Sequence, residues 1–411
     1  MQHQERLNRL CQQIEQELRE DILPYWMNQT VDREHGGFYG EVSNSNQINN
    51  DAAKGCILNS RMLWTFSSAF LMYHDARYLD VARHAYEYLL SAFWDNEFGG
   101  LYFSVDRHKQ PVEAYKQIYN QSFGIYGLSE YYRATGNAES LTKAIELYRA
   151  VEERSSDPVH GGYTDAFTRD WQPTQEKYVS PERLHAVKTM NTHLHLMEAY
   201  TNLARVWDAP ELREKLRHLI ELFVEKIIHP DTLHLKMYFT QDWRSQTDDI
   251  TYGHDIEASW LMYEAAQVLG DEQILKRITP VVLGMAERTL AEGVDNVYGG
   301  VYNEKHGGKE IDREKVWWVQ SEALVGFLNA YELTRRDEFL DAVSHIWDFT
   351  QRTLIDLQYG EWIWSVTEQG EPLLATPKAF TWKCPYHNGR ACLESVARIR
   401  HLLKRVQHYS F

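Results

Sequence analysis

An all-α fold, an (α/α)6 barrel of six inner and six outer helices with short β-hairpin connectors, is predicted for this 411-residue chain by three observations. A glycine–aromatic phrase recurs six times. Two helical patterns lie between successive copies, the first apolar on most faces and the second charged on one side. No linker rich in Pro, Gly or Ser divides the chain, so residues 1–411 are expected to form a single catalytic domain.

The phrase reads HGGFYG from His35, FGGLYF from Phe98, HGGYTD from His160, YGGVYN from Tyr298 and YGEWIW from Tyr359, with HLKMYF from His234 as a degenerate copy. The intervals are 63, 62, 74, 64 and 61 residues. A Gly pair followed by alternating aromatic and polar residues fits a tight turn entering a short strand, because Gly supplies the positive φ such a turn can need. Between copies, segments such as 58–75 and 77–95 repeat apolar residues at i, i+3, i+4 and i+7. The more apolar first members, among them HLMEAYTNLA and EALVGFLNAY, are read as inner helices; ELREKLRHLIELFVEKI (211–227) is typical of the outer ones. Six such pairs close into a ring, with an open α-solenoid as the alternative. The stretch 179–190 is longer and less regular, and is read as a loop over the ring.

Composition narrows the class of ligand. The formal net charge is −16, which disfavours nucleic acid or an anionic membrane surface as partner. Aromatic residues make up 13%, with 13 Trp and 25 Tyr, which suits a pocket that stacks on sugar rings. Cys11, Cys56, Cys384 and Cys392 form no CxxC pair, so reduced thiols are expected rather than a disulfide framework or a zinc ribbon. The charged N-terminus has no apolar core of a signal peptide, and the protein is read as cytoplasmic and as a monomer.

The first turns of the six inner helices read LNSR (58–61), IYNQ (118–121), MNTHLH (190–195), YGHDIE (252–257), VWWVQSE (316–322) and CPYHNGR (384–390). In a ring of alternating direction all six lie at one end, so distant residues converge there. Six helix N-termini also favour an anion and disfavour protonated histidine. That environment suits removal of a weakly acidic C–H beside a carbonyl, through an enediolate. Such a reaction needs a base near neutrality, an acid on the opposite face and donors to the oxygens.

His195 lies four residues after Asn191 and shares its helical face, whereas His193 points elsewhere. His254 and Glu257 are three apart, so the carboxylate can bond the imidazole or a sugar hydroxyl. His387 opens the last inner helix with Arg390 a turn later, and Arg61 offers the fork that lysine lacks. Trp317, Trp318 and Trp382 lie beside these polar turns and are read either as core or as sugar platforms. No HxxxH or HExxH pair presents two ligands on one helix face, and no metal site is expected.

The phrases KGCILNSRMLW (54–64), YNQSFGIYGLSEYY (119–132), KTMNTHLHLMEAYTNL (188–203), YGHDIEASWL (252–261), KVWWVQSEALVGFLNAY (315–331) and WKCPYHNGRACLE (382–394) together resemble the cellobiose 2-epimerases, within the N-acylglucosamine 2-epimerase superfamily. The resemblance covers nearly the whole chain. It implies an (α/α)6 barrel, no metal or cofactor, and reversible epimerisation at C2 of the reducing-end glucose of β-1,4-linked disaccharides, cellobiose to glucosyl-mannose and lactose to epilactose. It implies Arg61, His195, His254 and His387 as the essential group, with His254 and His387 transferring protons. It also implies Tyr119, Asn191, Glu257, Trp317, Gln320, Glu322 and Trp382 as sugar-holding residues, Trp382 beneath the second ring. Ser122 departs from the pattern, which usually has alanine there. The alternatives are a monosaccharide or N-acyl-sugar 2-epimerase or aldose–ketose isomerase of the same fold, and an (α/α)6 glycoside hydrolase working through Glu257 and Glu322.

Overall fold

In the computed structural model, residues 2–174 and 186–408 are described. The first outer segment joins α1 (Gln2–Glu17) to α2 (Leu23–Gln29) through a π turn at Leu18–Ile22. Five pairs follow: inner α3 (Cys56–Tyr73) with outer α4 (Ala76–Tyr88), α5 (Ile118–Thr135) with α6 (Ala138–Ser155), α7 (Met190–Ala204) with α8 (Pro210–Leu222), α9 (Tyr252–Leu269) with α10 (Glu272–Arg288), and α11 (Trp317–Thr334) with α12 (Asp337–Thr353). The last inner helix is α13 (Tyr386–His408).

Closure is explicit. Each inner helix packs against the next, from α3 through α13, and α13 packs back against α3. The outer partner of α13 is α1, so the two ends of the chain complete one another, with Arg400 2.7 Å from Glu15. The inner helices are buried on nearly all faces, which explains their weak amphipathicity in the sequence. Outer helices start where the sequence provides caps: Asp75, Asn137 and Asp271 accept backbone N–H groups in the first turns of α4, α6 and α10.

The recurrent phrase forms a second, smaller ring at the N-terminal ends of the inner helices. The strand before each inner helix pairs antiparallel with the connector of the following repeat, as Lys54–Gly55 does with Ser104–Val105 and Lys315–Val316 with Ser365–Val366. The bridge between Val42 and Ala379 joins the last repeat to the first. The paired glycines adopt left-handed backbone, for example Gly99 (φ 73°) and Gly100 (φ 75°), as the phrase predicts. Of the predicted loop at 179–190, residues 179–185 lie outside the described residues; Lys188 and Thr189 form a strand and Met190 opens α7.

Two devices inside this ring are not apparent from the phrase itself. In five repeats an aspartate accepts two backbone N–H groups of the turn through one oxygen and a buried lysine through the other: Asp32–Lys54, Asp95–Lys116, Asp157–Lys188, Asp295–Lys315 and Asp356–Lys378. In the degenerate repeat His229 takes the aspartate's place, its Nδ1 facing the amides of Asp231 and Thr232, and Ile250 precedes α9 where the others carry lysine. Both charges are replaced together, as expected if either one alone would be a buried unpaired ion.

The second device is the fourth residue of the inner helix, which clamps the connector backbone. Gln121 bonds both polar groups of Leu101, His193 accepts the amide of Tyr163, Asp255 that of Leu235, and Gln320 both groups of Val301. The Ser122 hydroxyl is absorbed by the Ile118 carbonyl one turn back, at 2.8 Å. Among the described residues no helix is long and apolar enough to cross a membrane.

Candidate active site

At the N-terminal ends of the inner helices a cavity of about 230 Å³ is lined by Arg61, Tyr119, Asn191, His195, His254, Glu257, Trp317, Trp318, Trp364, Trp382 and His387. Every inner helix or the turn preceding it contributes, because the ring brings all six first turns to one end. A larger cavity, about 740 Å³, lies between residues 43–45, the end of α12 and the last connector, shares no lining residue with the first, and gathers no histidine.

Arg61 is 1% exposed and, among the described residues, has no carboxylate partner. Its guanidinium lies against the rings of Phe123, 4.1 Å away, and Tyr386, 4.5 Å away, which meet edge to face, and it donates to the Tyr119 hydroxyl at 2.7 Å. Its Nε has no hydrogen-bond partner among the described residues. A buried cation with aromatic rings and neutral acceptors around it but no carboxylate is energetically costly in the free protein and is matched to an anion that arrives or develops beside it.

The three histidines are neutral near pH 7 for shared reasons. Burial first, then the neighbouring His195 and His387, push His254 down to about 3. Burial, Arg61 and Arg390 push His387 well below its ordinary value. Burial holds His195 low as well, against the pull of Glu198. Their partners differ. His387 Nδ1 lies 2.7 Å from Glu322, His195 Nδ1 2.9 Å from Glu198, and His254 Nδ1 2.8 Å from the Thr251 hydroxyl. The indole of Trp318 contacts two of them, 4.7 Å from the His254 ring and 5.4 Å from that of His387 between centroids.

Beneath the cavity Arg390 gathers three carboxylates. It donates to Glu257 at 2.6 Å, to Glu322 at 2.7 Å and to Glu198, which also accepts the Tyr386 hydroxyl at 2.7 Å. Burial pushes Glu198 up, but Arg390 and His195 outweigh it and bring Glu198 down to about 2, so it stays a carboxylate. Burial and the Glu322 charge raise Glu257 well above the usual range. Of the two partners offered to Glu257 by its spacing from His254, the imidazole is not bonded; Oε1 takes Arg390 while Oε2 is without a partner among the described residues. Ligand atoms of Glu257, Glu322 and His387 lie within 4.8 Å of one another, a spacing that would suit a divalent ion, but the Arg390 guanidinium already bridges the two carboxylates.

Most residues expected at the site are brought together: Arg61, Tyr119, Asn191, His195, His254, Glu257, Trp317, Trp382 and His387 all line the cavity. Two expectations are corrected. Gln320 is not a sugar ligand here, because its amide is spent on the Val301 backbone in the manner of Gln121. Glu322 is fully buried behind the cavity wall; His387, Arg390 and the Trp260 indole occupy its oxygens. On α11 both Trp317 and Trp318 line the cavity, Trp317 packing on Trp364 at 4.4 Å between ring centroids.

Glu198, Tyr386 and Trp364 were missed as parts of the site. Glu198 follows His195 by three residues, a helical-face signal of the kind used for His254 and Glu257. Trp364 belongs to the sixth phrase, whose backbone carbonyl accepts the first amide of α11 at 2.9 Å; Phe103, Asp165 and Met237 do the same for Cys56, Ile118 and Met190.

The comparisons agree with this geometry. A model of the N-acylglucosamine 2-epimerase family matches residues 37–390. A cellobiose 2-epimerase of Bacteroides fragilis is 43% identical over 385 residues, 94% of this chain and 98% of its own. The solved structure of a cellobiose 2-epimerase from Bacillus thermoamylovorans superposes with a TM-score of 0.91 at 41% identity, covering 95% of this chain and 100% of that one. A D-mannose isomerase structure, 21% identical with a TM-score of 0.82, covers 93% of this chain and 97% of its own and shares the fold. With the match running from the first connector into the last inner helix, where His387 and Arg390 stand, the chain belongs to the N-acylglucosamine 2-epimerase family.

Proposed function

We propose that the protein is a cellobiose 2-epimerase, an isomerase that inverts C2 of the reducing-end glucose of cellobiose, with lactose as a second substrate. The observation that carries the chemistry is the buried Arg61, free of any carboxylate among the described residues and facing a cavity with three neutral imidazoles. In the open-chain aldehyde one neutral imidazole removes the C2 proton and charge spreads over O1 and O2; the second, protonated from solvent once that anion lies beside it, delivers a proton to the other face, and the first releases its own to solvent. Arg61 supplies the fork that binds the enediolate oxygens, and Tyr119 aligns that fork. His387 and His254, both packed on Trp318 in the cavity wall, are the proton-transferring pair; because the reaction is reversible, each is the base in one direction.

Glu257 Oε2 and Asn191 Oδ1, both without partners among the described residues, are read as ligands for sugar hydroxyls. Trp382, half-buried at the edge of the cavity beside Tyr119 and Phe103, is the platform for the second ring. The disaccharide preference is supported by the cellobiose 2-epimerases that the chain resembles along 94% and 95% of its length. No cofactor or metal is invoked, and the enzyme is read as a cytoplasmic monomer. A glycosidase would need two carboxylates set across a scissile bond. Glu257 and Glu322 are instead clamped on one guanidinium, and Glu322 is behind the wall.

Incubation with cellobiose and with lactose, followed by chromatography, tests the reading. Glucosyl-mannose and epilactose are expected, with His254→Ala and His387→Ala folded and inactive. Release of monosaccharide, or a folded His387→Ala retaining substantial turnover, would overturn it.

A further inference from the structure

His195 and Glu198 lie on one face of α7, three residues apart, both nearly excluded from solvent at 2% side-chain exposure. A carboxylate only accepts, so the 2.9 Å contact to His195 Nδ1 places the imidazole's proton on that nitrogen. The other ring nitrogen, Nε2, then carries a lone pair. We propose that Glu198 is the positioning residue of this site, fixing His195 as the neutral Nδ1–H tautomer so that Nε2 accepts a hydrogen bond from a sugar hydroxyl and takes no part in proton transfer. The proposal rests on the epimerase reading for the identity of the sugar, and on the Glu198 contacts for everything else.

Glu198 is itself held in place. Both of its oxygens lie 2.7 Å from the Tyr386 hydroxyl, and Arg390 donates to Oε1. Oε2 is thereby kept for the imidazole, with no rotation open to the carboxylate that would not break two other bonds. Around the imidazole stand the rings of Tyr119 and Phe123, at 5.0 Å and 4.9 Å between centroids, and the Tyr386 hydroxyl, a long 3.5 Å from Nδ1, whose proton goes to the closer Glu198 carboxylate at 2.7 Å. The arrangement repeats that of Glu322 on His387 Nδ1, while His254 faces only a hydroxyl that can donate or accept. Two histidines thus have an assigned tautomer and the third is free to carry its proton on either nitrogen.

The rival account makes Glu198 a counter-ion for Arg390 and nothing more. The two differ in what nitrogen-15 spectra of histidine-labelled protein show without substrate, with the His195 signals identified by their loss in His195→Gln. Expected in the wild type are a protonated Nδ1 and an unprotonated Nε2. In Glu198→Gln the amide can donate as well as accept, so the Nε2 line should broaden or move toward the protonated position. Its kcat/KM should fall about 10- to 100-fold, the range seen when a residue orienting a metal-bound histidine is removed. Tyr386→Phe leaves the His195–Glu198 contact in place and should keep the wild-type tautomer.

A wild-type His195 protonated on Nε2 would overturn the proposal even if Glu198→Gln did not fold. So would an unchanged His195 spectrum in folded Glu198→Gln. Because the tautomer is read without turnover, either result leaves the epimerase reading to its own test.

Discussion

Replacing Arg61 by methionine separates activity from stability in a way few buried residues allow. The side chain donates to the Tyr119 hydroxyl and, at a long 3.5 Å, to the Trp382 carbonyl, and lies against two aromatic rings, with no carboxylate among the described residues to strand when it is removed. The losses are about 1 kcal/mol for the Tyr119 hydrogen bond and about 0.5–2 kcal/mol for each ring contact. Against them stands relief of a buried, unpaired charge, worth several kcal/mol. Folding free energy should therefore change by no more than about 1–2 kcal/mol in either direction.

Catalysis should respond very differently. One oxyanion donor contributes roughly 2.7–4 kcal/mol, or about 10²–10³ in rate, and methionine removes both arms of the fork. A drop in kcat/KM of about 10³ or more is expected from steady-state epimerisation assays, with the urea midpoint near that of the wild type. Arg390→Met provides the contrast, since it strands Glu198, Glu257 and Glu322 and should cost about 3–5 kcal/mol of stability. If Arg61→Met lost as much stability as Arg390→Met, or kept activity within about tenfold, the assignment of Arg61 to a developing anion would be wrong.

The neutral histidines carry a pH signature. His254 is pushed to about 3 in the folded protein against 6.5 in an unfolded chain, so as pH falls below about 6.5 the unfolded state takes up a proton first. Stability should be greatest above that pH and decline through the interval down to about 3, less steeply in His254→Asn; an equal slope in both would contradict it. The acid limb of kcat/KM should lie well below 6.5, and a limb at or above 6.5 would show that the imidazoles are not neutral as described. In the connector ring, Lys315→Ile should destabilise by about 3–5 kcal/mol by stranding Asp295, and the double variant Asp295→His with Lys315→Ile should recover much of it, as the pairing of His229 with Ile250 suggests. Equal chemical-denaturation midpoints for the single and double variants would refute that coupling.

The barrel was legible because the repeats pair a helix apolar on most faces with an amphipathic one, and all but the degenerate copy mark the junction with glycine of positive φ. Convergence of Arg61, His195, His254 and His387 followed from placing six first turns at one end. What sequence reasoning did not resolve is which residues of a polar turn face the lumen. Gln320 and Glu322 stand only two positions apart on α11, yet one turns outward to the Val301 backbone and the other inward to His387. Their shared polarity gave no sign of this, although Gln121 at the same position of α5 is the clue that a repeat-by-repeat alignment of fourth residues would have supplied. The pairing of Glu198 with Arg390 escaped for another reason: an ion pair that crosses 192 residues of sequence leaves no local pattern, whatever each residue's own spacing from His195 and His387 shows.

The most direct measurement of the central claim is the fate of the C2 proton. Cellobiose incubated with the protein in D₂O containing a chelator, and followed by NMR, should yield glucosyl-mannose carrying deuterium at C2 of the reducing-end ring, at a rate unaffected by the chelator. Epimer formed without deuterium at C2, or exchange that stops when the chelator is added, would contradict proton transfer through a metal-free enediolate.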